Sequence, residues 1–107
     1  MSVTSKKHLP FCPITRTALI IGSRWTAQIL RELLDHDARR FQDLQTAIDG
    51  ITPAVLSNRL KMLEDAEIVE RRLYEDHPPR AEYLLTSKGR EMRGVIGAMR
   101  DWGAKHG

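Results

Sequence analysis

Two groups of residues have types and spacing that could do chemistry. The first is the run Thr52, Ala54, Ser57, Asn58, Arg59 and Lys61, short polar and basic side chains set around Pro53. An asparagine can pair with an adenine edge through two complementary hydrogen bonds, and a lysine one turn further on can meet a phosphate. A helix starting here would also aim its unpaired amides at a phosphate near Thr52 and Ala54. The second is Cys12, followed directly by Pro13. A thiol at a helix start meets free amides and the positive end of the helix dipole, which favour thiolate, the form that oxidants and quinones attack. Lys6, Lys7 and Arg16 could add to this. The same residue also reads as a buried thiol packing as a small hydrophobe, and the residues alone leave both readings open.

The elements that must position these groups follow from periodicity. Pro13 suits a first helical turn, so a helix is predicted from about Pro13 to Ile21, with Cys12 as its cap and Gly22 as its stop. Ser23 is a good cap for the next segment, where Trp25, Ile29 and Leu33, with Leu30 and Leu34, form one apolar stripe. After a loop with room for a short strand, a brief helix carries Phe41, Leu44 and Ile48 inward, closed by Gly50. Thr52 as cap, Pro53 at the first helical position and Ile51 before the cap then open a new helix. In it Leu56, Leu60 and Leu63 recur at i, i+4 and i+7, so Ala54, Ser57, Asn58 and Lys61 fall on the opposite face. Two short helices joined by a tight turn make a helix-turn-helix.

Downstream, Val69 to Tyr74 and Ala81 to Leu85 read as two strands of a hairpin wing carrying Arg71, Arg72, His77 and Arg80. These cations suit backbone or minor-groove contacts, Arg80 foremost. They equally suit solvated positions or cross-strand pairs with Glu70 and Glu82. The prolines at 78 and 79 are expected to keep strand pairing out of the tip. A last helix starting at Thr86-Ser87 puts Met92, Val95 or Ile96, Met99 and Trp102 along one seam, which is read as a dimer interface.

Composition sets the limits. The 107 residues fit one domain, and a chain of this size gains from pairing with a second copy. Seventeen basic against fourteen acidic residues give +3, a mild excess that permits a polyanionic partner. The longest apolar run is far too short to span a bilayer, and residues 1–11 read as a loose arm rather than a signal peptide, so a cytoplasmic protein is expected, with its domain over 12–107. One cysteine excludes an internal disulfide and paired-thiolate zinc sites. The histidines, His8, His36, His77 and His106, have no ligand spacing, and no phosphate loop or nucleophile motif occurs. No enzyme, cofactor or metal is expected. The fold class is mainly α with a small β-hairpin wing.

The motifs Cys12-Pro13, Gly22-Ser23-Arg24-Trp25-Thr26, Arg40-Phe41-Gln42-Asp43-Leu44, Ile51 through Lys61, Pro78-Pro79-Arg80-Ala81-Glu82-Tyr83 and Leu85-Thr86-Ser87-Lys88-Gly89 together resemble HxlR-type regulators of the MarR-like superfamily. The resemblance covers nearly the whole chain beyond the arm. It implies a winged helix-turn-helix DNA-binding homodimer, joined by its first and last helices with Ile14 and Leu19 contributing from the first, that controls transcription; the two-fold symmetry of such a dimer in turn predicts a palindromic duplex operator. It also implies a response to electrophiles or oxidants through the cysteine near the start. One departure concerns the turn before the wing: such proteins commonly carry glycine where this chain has Glu67, which is strained if that position needs a positive φ. A winged helix can also serve as a protein-docking module without reading DNA, and this is the competing reading.

Overall fold

The computed structural model describes residues 11–107; the expected arm, with Lys6, Lys7 and His8, lies almost wholly outside the described residues. The elements run α1 (Pro13–Ile21), α2 (Arg24–Asp35), β1 (Arg39–Arg40), α3 (Phe41–Ala47), α4 (Pro53–Asp65), β2 (Val69–Asp76), β3 (Pro79–Leu85), α5 (Ser87–Arg90) and α6 (Arg93–His106). This is a winged helix-turn-helix.

The local signals act as their chemistry demands. Ser23 caps α2 by accepting from the Trp25 amide at 3.1 Å, and Thr52 caps α4 by accepting from the Val55 amide at 3.3 Å. Asp43 accepts from the Arg40 amide at 3.0 Å at the start of α3. Arginine has no acceptor with which to return that bond, so only this half of a capping box is made. The core is one cluster in which Ile29, Leu30 and Leu33 of α2 meet Leu44, Ile48, Leu56, Leu60 and Leu63 of the helix-turn-helix, with Ile68, Val69 and Leu85 from the wing root. Trp25 packs against it half-buried, under the guanidinium of Arg24 at 4.1 Å.

The sheet is antiparallel in the order β1-β3-β2, with Arg39 opposite Tyr83 and Val69 opposite Leu85. Here the expectation about the prolines fails. Pairing continues to Asp76 opposite Pro79, and only His77 and Pro78 make the turn. Proline at the first residue of a strand is where a missing N–H disturbs the ladder least. A bulge between Leu73 and Glu75 leaves Tyr74 unpaired, and only Val69 of β2 is buried.

Two further expectations are corrected. The helix that ends the chain is broken: α5 stops at Arg90, and a turn through Glu91 and Met92 redirects the chain into α6. Likewise Gly50 does not close α3, whose cap is Ile48; it turns the chain two residues later with φ +83°. The departure at Glu67 is accommodated at a positive φ. Glu67 adopts φ +60° and closes a complete Schellman motif, its amide bonding Glu64 O and the Ile68 amide bonding Leu63 O, both at 2.9 Å. No helix among the described residues is long and apolar enough to cross a membrane.

Candidate nucleic-acid interface

Leu56, Leu60 and Leu63 are almost wholly buried, and the opposite side of α4 is consequently turned out: Ala54, Ser57, Asn58 and Lys61 are all exposed, as is Thr52 at the cap. Arg59 lies at the edge of this face, half-buried, with its Nε buried and unpartnered among the described residues. The helix geometry gives the Ala54 amide no intrahelical acceptor, so a donor points out of the N-terminus beside Ser57 and Asn58. Uncharged hydrogen-bonding groups at the front and cations one turn behind suit base edges and phosphates in that order.

The wing brings Arg71, Arg72, His77 and Arg80 to one exposed ribbon, but two of these cations are engaged within it. Arg72 faces Glu82 across the ladder and binds it at 2.6 Å from Nη2 and 3.2 Å from Nε; this pairing raises the Arg72 pKa. Arg80 faces Glu75, with 3.3 Å between Nε and the carboxylate. On α4, Lys61 meets Asp65 at 3.1 Å, one turn along. The Lys61–Asp65 pair was legible in the i, i+4 spacing. Glu75–Arg80 was not, because the residues face each other only when pairing runs through the tip. Tyr74 is a further feature the sequence pattern missed. Pushed out at the bulge and 42% exposed, it lies beside the Arg40 guanidinium and, together with Asp43, raises the Arg40 pKa.

Cys12 stands at the start of α1, fully accessible. Its sulfur closes no cap hydrogen bond, yet the Thr15 amide above all, then the Thr15 hydroxyl and the Ile14 amide, hold its pKa below the ordinary thiol value, with Arg16 adding a positive charge. The reading of Cys12 as a buried small hydrophobe therefore falls within this chain.

The residues expected at a dimer interface separate into two sets. Met92 packs half-buried on the core at the α5–α6 turn and Ile96 is 6% exposed inside it, so neither faces outward with the rest. Ile14 and Leu19 on α1 and Val95, Met99 and Trp102 on α6 remain uncovered to differing degrees, Ile14 and Trp102 most of all.

The sequence matches the HxlR-like helix-turn-helix family over residues 20–107. The chain belongs to this family. It is a helix-turn-helix transcriptional regulator of the HxlR family, 37% identical over 95 residues to the HTH-type regulator YdeP of Bacillus subtilis, an alignment covering 89% of this chain and 73% of YdeP. Among solved structures, the redox regulator HypR in its reduced form superposes with a TM-score of 0.82 at 31% identity, covering 88% of this chain and 92% of HypR. Reduced YodB of B. subtilis superposes with a TM-score of 0.75 at 34% identity, covering 91% and 95%. YodB has also been solved after diamide treatment, and that form superposes with a TM-score of 0.73 at 34% identity, covering 90% of this chain and 95% of YodB. In this HxlR-family chain, then, α3 and α4 are the helix-turn-helix and β2–β3 the wing.

Proposed function

We propose that this regulator is a homodimer that binds duplex DNA sequence-specifically, with α4 in the major groove, Ala54, Ser57 and Asn58 at base edges, and Lys61, Arg59 and the wing cations toward the backbone. The observation that carries this reading is the division of α4 into a leucine face locked in the core and a polar face left open, uncharged in its first turns and cationic at Lys61. Dimerisation is supported by the uncovered apolar side chains of α1 and α6. A two-fold pair would place two α4 helices about 34 Å apart, one turn of DNA, against a palindromic operator. Fluorescence anisotropy with the duplex upstream of its own gene and with random duplex tests it. Asn58→Ala should relax the preference between the two, costing about 1–3 kcal/mol on the operator alone. Equal loss on both duplexes would make Asn58 a backbone contact rather than a base reader, and failure of the wild type to bind either duplex would make docking of a protein partner on this face the better account.

The second part of the proposal is a thiol switch at Cys12. It is supported by the exposed, acidified thiol and by the likeness to regulators solved in reduced, oxidised and diamide-treated forms. With one cysteine per chain, diamide would take two electrons and two protons from two thiols, joining Cys12 either to Cys12 of a second chain or to a small thiol. Diamide should change operator affinity in the wild type and leave Cys12→Ser unaffected. A response that persists in the variant would exclude Cys12.

A further inference from the structure

Three of the cations that face DNA in this reading share an unexpected property. Lys61, Arg72 and Arg80 each have a carboxylate of the same chain within ion-pair distance: Asp65 at 3.1 Å, Glu82 at 2.6 Å and Glu75 at 3.3 Å. The charge count follows suit. The β2–β3 hairpin carries three arginines against four carboxylates, and α4 carries Arg59 and Lys61 against Glu64 and Asp65. The positive balance of the chain therefore resides elsewhere, and the face offered to DNA is close to neutral.

We infer that Asp65, Glu75 and Glu82 are built-in competitors of the DNA backbone, occupying three of the phosphate-binding cations so that affinity for duplex of any sequence is held down. This rests on the DNA reading above and adds how the same face is regulated. The outer pairs are solvated, with side chains 72% and 53% exposed for Lys61–Asp65 and 50% and 51% for Arg80–Glu75, so each is weak and a phosphate can displace it. Displacement leaves a carboxylate beside a phosphate, and that repulsion weakens binding. It also blunts the salt dependence, since a cation already neutralised by a carboxylate yields little of the counterion release that drives non-specific binding. The uncharged groups at Ser57 and Asn58 are untouched by this competition, so selection among sequences is left to them.

The test compares wild type, Asp65→Asn, Glu75→Gln and the double variant on random-sequence duplex by anisotropy, from about 50 to 200 mM salt. Glu91→Gln, an exposed carboxylate with no ion pair among the described residues, makes the same change in net charge elsewhere. Each of the two single variants should bind about three- to tenfold more tightly at the lowest salt, and the slope of log affinity against log salt should steepen by up to about 0.9 per cation released. Glu91→Gln should change affinity less than about twofold. Unchanged or weaker binding by both variants would overturn the competition and make the carboxylates positioning residues for the cations. An equal gain from Glu91→Gln would overturn it in favour of net charge alone. Absence of binding by wild type and every variant alike would overturn the DNA reading itself, and this inference with it. Circular dichroism of each variant establishes that the fold is kept.

Discussion

The Thr86 hydroxyl donates to the Glu67 carbonyl at 2.6 Å while accepting from the Gly89 amide at 3.0 Å, so one side chain both caps α5 and holds the turn that joins α4 to the wing. Lys88 reinforces the same turn, donating to the Ala66 carbonyl at 2.8 Å. The junction between α4 and the wing is thereby held by polar contacts to three successive backbone units, 66 to 68. Thr86→Val keeps the shape and removes the hydroxyl. It should lower stability by about 1–2 kcal/mol in urea denaturation. A loss below about 0.3 kcal/mol would show that the turn holds without it.

Glu67 pays in strain for its place in that turn. With φ at +60° its Cβ crowds the neighbouring carbonyl, a penalty glycine does not incur. Glu67→Gly should therefore raise stability by about 0.5–1 kcal/mol despite the freer unfolded chain, and a chemical-denaturation midpoint that falls instead would mean that the glutamate side chain makes contacts outweighing its strain.

At Gly89 the opposite substitution is forbidden. A Cβ built there meets the Ile68 carbonyl oxygen at 2.2 Å, and that oxygen is held in place by the Thr86 amide and hydroxyl. Gly89→Ala should destabilise by about 1–3 kcal/mol. Because the clash falls on the root of the wing, wing amides should also exchange faster with solvent deuterium. Normal stability with unaltered exchange would place the backbone elsewhere.

The Asp43 carboxylate has a lowered pKa, first because the Arg40 amide donates to it, then through the Arg40 side chain and the charge of Arg39. A depressed carboxylate stabilises the fold fully above its ordinary value of 3.8 and loses that contribution as pH falls through the folded-state value below it. Asp43→Ala should cost about 1 kcal/mol at pH 7 and progressively less under strongly acidic conditions. Parallel pH profiles for wild type and variant would show that the ionised form is not what caps α3.

Cys12 should alkylate as thiolate at lower pH than a free cysteine does, because its thiol pKa is lowered at the start of α1. Measured with iodoacetamide, the midpoint of rate against pH should lie below that of an unstructured peptide holding the same residues. It should return toward the peptide value when α1 is melted in urea. A midpoint equal to that of the peptide would remove the helix start as its cause.

Much of the regulator was legible in its sequence because caps and periodicity are local. Thr52-Pro53 fixed where α4 begins, and the spacing of Leu56, Leu60 and Leu63 fixed which face turns inward, hence which residues are left exposed. Ser23, Gly22 and Cys12 marked the ends of α1 and α2 in the same way. Spacing could not tell Ile96 from Val95, since adjacent positions on an amphipathic helix differ only in which neighbour comes to cover them; α6 packs against α2, and Ile96 joins the core.

What only the tertiary structure decided is how the charges are spent. Arg80 meets Glu75 because the ladder closes through Pro79, and Arg72 meets Glu82 because the register sets them opposite. A sequence records the sign of each side chain but not its partner across a sheet, because pairing between strands depends on where the turn falls and where a bulge inserts a residue. The amino acids alone thus showed a basic protein with a helix-turn-helix, and folding made the face of α4 and the wing proposed to meet DNA nearly neutral.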